Sequence, residues 1–333
     1  MKILKLTFLL IAIISINNLK AQETIPVYSD YLSDNVYLLH PAAAGIGNCA
    51  KLRLTHRQQW VGVDDAPQLQ TISYHSKLSA DSNVGLGGII FKDQNGFHSQ
   101  IGAQATFTYH VNMSGRNFSQ LSFALSGMFA ENKIDETNFI LPNEINDPVI
   151  TNLVRAENYY NADFGMAYHY KTGAAYFTVK NLLLSARNLE TSSFESLNLR
   201  RYLVSLSWFF DNDNPNKIKF EPSTLIQLTE RTGELFADFN IKAYKKMGND
   251  NTLWAALSYR QTFDGNEIQE LTQITPIIGM NFNRGVMVSY TFTRQLGDIT
   301  FANGGFHQFT LGLDLFCKTP RVAACPNINS SFN

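Results

Sequence analysis

The feature that most constrains this chain is an alternation of apolar and polar side chains with a period of two. It is sustained from about residue 50 almost to the end. Successive side chains of a β-strand point to opposite faces, so such a chain builds a sheet with one apolar and one polar side. The clearest stretch sets Ile101, Ala103, Ala105, Phe107 and Tyr109 on one face. Gln100, Gly102, Gln104, Thr106, Thr108 and His110 take the other. The pattern recurs at Leu121/Phe123/Leu125, Ala162/Phe164/Met166/Tyr168/Tyr170, Tyr202/Val204/Leu206/Trp208 and Leu235/Ala237/Phe239/Ile241. It returns at Leu253/Ala255/Leu257/Tyr259, Val286/Val288/Tyr290/Phe292 and Phe309/Leu311/Leu313/Leu315. No helical stripe of comparable length competes with these strands.

Alternation alone also fits a soluble sandwich or a lipocalin-like barrel, so composition has to decide. Only 17% of the 333 residues are charged, against about 25% in soluble domains. The polar faces carry Ser, Thr, Gln, Asn and Gly, where a soluble sandwich would carry Lys and Glu. The strand-like segments run about 9–12 residues, beyond the roughly 5–6 of soluble strands and suited to a tilted strand crossing an outer membrane. Tyr109, Phe129, Tyr168, Tyr170, Phe210 and Tyr259 fall near segment ends, where interfacial girdles belong. The mean hydropathy of -0.14 is then an average over a lipid-facing and a lumen-facing side. A net charge of -1 excludes a strongly basic nucleic-acid binder and a highly charged disordered chain.

The N-terminus supplies the compartment. Lys2 and Lys5 precede an apolar run from Leu6 to Ile16, and Leu19-Lys20-Ala21 closes it, so 1–21 reads as a signal peptide cleaved after Ala21. The alternative is a retained signal anchor, but this run is too short to cross about 30 Å of hydrocarbon as a helix. Beyond Ala21 no window of about 20 residues is apolar enough to span, which leaves a barrel as the membrane-crossing form. Residues 22–48 contain Tyr28, Tyr31, Val36, Tyr37, Leu38 and Leu39. They are expected to pack as a plug or a short periplasmic helix, with a free leader as the alternative.

The reading is therefore all-β: an outer-membrane β-barrel of roughly 14 antiparallel strands over 49–316, in contact with membrane lipid, followed by a periplasmic tail, 317–333. Strands are expected near 50–58, 68–77, 83–92, 99–110, 119–130, 160–171, 174–181, 201–210, 218–228, 235–243, 252–261, 270–282, 285–294 and 306–316. With both termini periplasmic, the odd-numbered connections lie outside and should be longer. They include Glu131–Tyr159, Leu182–Arg200 and Gln295–Gly305, while the even-numbered ones include the short Lys171–Ala174 and Asn283–Gly285.

One region carries a specific motif. Pro41-Ala42-Ala43-Ala44-Gly45 is followed by Leu52-Arg53, then Arg57-Gln58-Gln59-Trp60-Val61-Gly62 and Ala66-Pro67-Gln68. This succession resembles the PorP/SprF family of type IX secretion system outer-membrane proteins, with His40 standing where that family usually has Asn. The resemblance implies a barrel that is not a catalyst and holds no cofactor. It implies a partner for secretion and surface attachment of a cargo, such as a gliding adhesin, through the cargo's C-terminal sorting domain. The alternatives are a core barrel beside the system's periplasmic ring components, or a passive solute transport barrel. Pro41, Ala42, Gly45, Arg57, Gln59, Trp60, Ala66 and Pro67 are the family-motif residues and the candidates for partner binding. Physically, Pro41 fixes φ and Gly45 admits φ > 0, which suits a tight turn into the first strand. The hairpin joining the first two strands reads first as structural, with Arg57 and Gln59 inside and Trp60 at the interface, and as a docking surface for a secreted partner second.

Dedicated chemistry is thin. The seven His residues are dispersed, with no metal-ligand spacing, no Gly-x-Ser-x-Gly elbow and no phosphate loop. Gly85-x-Gly87-Gly88 falls mid-strand, where glycine marks a bend or a close approach. Three Cys allow one internal bridge in an oxidising compartment. Cys317–Cys325 is the local pairing, and Cys49 with either would staple the seam between first and last strands.

Overall fold

A computed structural model describes residues 32–33, 35–61, 65–79, 82–113, 119–137, 153–183, 199–211, 214, 217–230, 232–248, 251–263, 272–282, 285–296 and 305–317. The expected signal peptide, Tyr28, Tyr31, and the expected tail with Cys325 lie outside these residues. Fourteen antiparallel strands close into one barrel in sequence order, with β1 pairing β14. They are β1 Ala50–Gln59, β2 Gln68–Lys77, β3 Val84–Asn95, β4 His98–Asn112, β5 Ser119–Asp135, β6 Val154–Tyr170 and β7 Gly173–Lys180. They continue with β8 Arg201–Trp208, β9 Lys219–Thr229, β10 Leu235–Lys246, β11 Thr252–Thr262, β12 Thr272–Phe282, β13 Val286–Leu296 and β14 Gly305–Leu315. Among the described residues no helix is long and apolar enough to cross a membrane.

The alternation fixes which face is which. On β4, Ile101, Phe107 and Tyr109 stand outward and exposed, while Gln100, Thr106, Thr108 and His110 are buried inside. This arrangement inverts a soluble core: apolar rows meet lipid and polar rows meet the lumen. Tyr109, Tyr168, Tyr170 and Phe210 project outward near the end where the chain enters and leaves the barrel, and Phe129 and Tyr259 near the opposite rim.

Two sequence expectations need correction. The connection expected over Glu131–Tyr159 is shorter, because β5 runs on to Asp135 and β6 begins at Val154, each seventeen residues long. All of β5 pairs with β6, and Arg155 forms an ion pair with Glu136 at the tip. Alternation fades past Phe129 because strands beyond the hydrocarbon no longer need an apolar outward row. The second correction concerns the inner face, expected to be mostly Ser, Thr, Gln, Asn and Gly. Leu203, Leu225, Phe236, Tyr244, Trp254, Ile277 and Met287 all point inward and form one buried cluster along β8–β13.

The seam is closed. Ten residue pairs join β1 to β14, from Ala50↔Leu315 to Gln59↔Phe306. Cys49, just before β1, is disulfide-bonded to Cys317, just after β14, with Cα atoms 4.0 Å apart. This pairing excludes the local Cys317–Cys325 bridge, since one sulfur makes one disulfide. The register brings the two ends of the barrel sequence side by side, a proximity that spacing along the chain does not reveal. Arg53 reinforces the seam from inside, its Nη2 donating to Asp314 Oδ1 at 2.7 Å with both side chains nearly buried.

Candidate functional site: the plugged lumen and the first hairpin

Residues Asn35–Asn48 lie inside the barrel. Two short 3-10 turns, Val36–Leu38 and Pro41–Ala43, carry this plug across the lumen. Pro41 stands at the first position of its turn, where its missing N–H costs nothing. Tyr37, Leu38, Leu39, His40, Ala42 and Ala44 are all buried. A fully buried Leu- or Tyr-sized side chain contributes roughly 1.5–3 kcal/mol.

A plug through a polar lumen must satisfy its own backbone and side chains. Tyr37 Oη donates to Thr106 Oγ1 at 2.8 Å, and Thr108 Oγ1 donates to the Pro41 carbonyl at 3.1 Å. Lys180 Nζ donates to the Leu38 carbonyl at 3.0 Å and Lys242 Nζ to the Leu32 carbonyl at 3.1 Å. Lys242 also sits 4.1 Å above the Trp254 ring, a cation–π contact inside the apolar half of the lumen. Leu32 and Leu39 pack into that half, joining the Trp254 cluster.

His40 is the centre of the plug's grip. Its Nδ1 lies 2.8 Å from Thr178 Oγ1 and its Nε2 2.7 Å from Ser205 Oγ, and its ring stacks on Tyr176 at 5.0 Å. Both ring nitrogens are thus engaged, across β7 and β8. Burial, with the Lys180 cation adding to it, pushes the His40 imidazole down to about 3 and keeps it neutral. Burial likewise raises the Tyr37 phenol to about 12.

The turn at Ala44-Gly45 shows why these residue types are needed. Gly45 has φ +75°, and a Cβ there would stand 2.7 Å from Gly85 Cα. A Cβ at Gly85 would stand 2.4 Å from the Ala44 carbonyl oxygen. Two glycines therefore let plug backbone touch strand backbone. Gly87, two residues on and facing the same way, leaves room for the Tyr37 hydroxyl. The mid-strand glycines thus mark a close approach, of the plug to β3.

The sequence motif divides between two places. Pro41, Ala42 and Gly45 lie in the lumen, whereas Arg57, Gln59, Trp60, Ala66 and Pro67 lie at the far end of β1 and the start of the next hairpin arm. The ten residues of β1 separate them by roughly 3.3 Å per residue. Arg57 is buried, its guanidinium 4.5 Å above the Phe306 ring across the seam. Ala66 is buried, and the Gln59 N–H donates to the Pro67 carbonyl at 2.9 Å, closing the hairpin. Trp60 is half-buried with φ +46°, and Val61 is exposed. Sequence reasoning did not single out His40, Thr178, Ser205 and Lys180 as a set, nor the Arg260–Asp238 pair at 2.6 Å across β11 and β10. Charged residues on inward strand positions were the available signal for the latter.

A closed fourteen-strand barrel with outward apolar rows, an inner face polar apart from the β8–β13 cluster and its own N-terminal segment inside defines a plugged outer-membrane barrel. The chain belongs to the PorP/SprF family of type IX secretion system membrane proteins, whose profile matches residues 20–313. That family is one of secretion-system membrane proteins, not an enzyme class. No protein of curated function matches the chain. Similar solved structures include the CymD monoaromatic hydrocarbon channel, at 8% identity, 87% of this chain, 92% of that one and a TM-score of 0.49. The TodX monoaromatic hydrocarbon channel deltaS2 mutant matches at 12% identity, 83% and 92% coverage and 0.45. Acinetobacter baumannii Omp33 matches at 6%, 81% and 100%, and 0.42. At these values the likenesses bear on no function.

Proposed function

We propose that this barrel is the outer-membrane partner of a secreted cargo, such as a gliding adhesin, which it helps export and hold at the surface through the cargo's C-terminal sorting domain. The observation that carries this reading is the plug: a family member whose lumen holds its own Asn35–Asn48 segment, and whose seam is stapled, is not arranged to thread a polypeptide. Cargo then meets the barrel at the rim opposite the termini, where the β5–β6 hairpin stands tallest. On this reading the signal peptide leaves after Ala21, the termini face the periplasm, and Trp60 and Val61 present the first hairpin to the partner. Trp and Arg are frequent interface anchors, but Arg57 is turned inward here, so Trp60 carries the contact. Purifying the tagged barrel from its own membranes should co-isolate a secreted protein, captured through its C-terminal domain. Recovery of periplasmic ring components alone would instead make it a core barrel of the same system.

A further inference from the structure

The outward apolar rows of the barrel are not equally tall. On β4 six outward positions in succession are apolar, from Ile101 to Val111. On β1 the apolar run stops after Ala50, Leu52 and Leu54, and on β2 it holds only Ile72 and Tyr74. Polar residues then take over part-way up the wall. His56, Gln70 and Lys92, all outward and exposed, follow Leu54, Ile72 and Ile90 on β1, β2 and β3. The register sets them side by side, with His56 opposite Gln70 and Gln70 opposite Lys92. Neighbouring strands lie about 4.8 Å apart, so the row is roughly 10 Å wide. At about 3.3 Å per residue and a tilt near 40°, His56 stands roughly 15 Å above the entry end of β1. That is inside a hydrocarbon band about 25 Å tall.

A cation on the lipid face is penalised according to its depth, and a polar group there has no water to bond. The side chains of His56, Gln70 and Lys92 form no hydrogen bond or ion pair among the described residues. The first carboxylate along the row, Glu131, is on β5, two strands beyond Lys92 and past Ile101. No outward position of β13, β14, β1, β2 or β3 holds Asp or Glu. The row therefore presents a Lys92 ammonium, a Gln70 amide N–H and an imidazole N–H of His56, which that ring offers in either protonation state. Between this row and the entry end a groove of about 520 Å³ lies open on the outer wall, lined by Leu54, Ile72, Ile90 and Leu311. Donors and a positive charge at one end, hydrocarbon at the other, complement an acyl chain that ends in an anionic head.

We propose that the His56–Gln70–Lys92 row binds a phosphate of outer-leaflet lipopolysaccharide, with one of its acyl chains lying in the groove beneath. The choice of lipid follows from the side of the membrane. The row lies in the half of the wall toward the rim opposite the termini. With the termini in the periplasm that half meets the outer leaflet, whose lipid carries a phosphorylated sugar head. The inference rests on that orientation, taken from the proposed function, and not on the cargo. A phosphate there supplies the negative charge that faces Lys92 and accepts the N–H groups beside it, as charge-assisted hydrogen bonds.

The test is native mass spectrometry of the whole barrel in detergent, titrated with purified lipid A or with phosphatidylglycerol. Lipid A should bind as a discrete adduct at concentrations where phosphatidylglycerol does not. K92Q should weaken it about fivefold, the upper range for an exposed ion pair. R294Q removes an equally exposed outward cation on β13, outside the groove, and should leave binding unchanged. Phosphatidylglycerol binding as tightly as lipid A, or equal losses in the two variants, would overturn the site. A photo-crosslinking side chain at Gln70, in the barrel's own outer membrane, should label lipopolysaccharide. Labelling of a protein there would overturn the proposal and make the row a protein interface. Loss of lipid A binding with cargo still co-purifying would sink this inference alone, whereas lipid A binding without any cargo would support it and sink the cargo reading alone.

Discussion

The two halves of the lumen wall hold the same plug by different means. Along β2–β7 the wall grips the plug with directed hydrogen bonds, Tyr37 to Thr106, Thr108 to Pro41, Lys180 to Leu38 and Gly45 to His75, beside smaller apolar contacts from Ile89, Ala124 and Ala167. Along β8–β13 the larger contact is apolar, with Leu203, Leu225, Phe236, Tyr244 and Trp254 packed with Leu32 and Leu39 beside the two hydrogen bonds from Ser205 and Lys242. Hydrogen bonds made in exchange for water contribute about 0.5–1.5 kcal/mol each but fix position closely. Apolar packing contributes more per residue and tolerates sliding. The polar half sets where the plug sits, and the apolar half supplies much of the energy that keeps it there.

Substitutions on each side can break that contrast. The largest effect is expected at the backbone contact on the polar side: Gly85→Val places a side chain where the Ala44 carbonyl lies. The strand itself accommodates valine readily, so the barrel should retain its strand signal by circular dichroism while exchange protection over 35–48 is lost. Next comes Trp254→Ala, which empties a fully buried site in the apolar half and should cost about 3–5 kcal/mol, read as a lower urea midpoint for vesicle-reconstituted barrel. The smallest is Thr106→Val. It leaves the buried Tyr37 hydroxyl without its 2.8 Å partner, at about 1–3 kcal/mol. Equal losses for the tryptophan and the threonine would remove the distinction between the two halves.

The same contrast explains what the sequence disclosed. Rows such as Ile101/Phe107/Tyr109 face lipid, and lipid imposes apolar residues at every second position, so all fourteen strands were legible there. The inner face is set by three-dimensional neighbours instead. Leu203 and Trp254 lie in one cluster with Leu32 and Leu39 of the plug, partners far away along the chain. Leu203 on β8 and Phe236 and Tyr244 on β10 stand among mostly polar inward residues, so no single strand marks the apolar half. His40 is a comparable case: its two partners, Thr178 and Ser205, are on β7 and β8, and nothing local marks them. The mid-strand glycines were legible as a close approach, though only the structure shows that Ala44 and Tyr37 are what approach. The disulfide needed the closure of the barrel, because Cys49 and Cys317 are 268 residues apart.

The central claim is that this barrel is closed by its own N-terminal segment and therefore serves a partner at its rim, not a solute in its lumen. Conductance in planar bilayers tests it most directly, comparing the mature chain with one lacking residues 22–48 at pH 7.5. The mature chain should be nearly silent and the shortened chain should conduct steadily. Steady conductance from the mature chain, unchanged by the deletion, would contradict the account and make the barrel a passive channel.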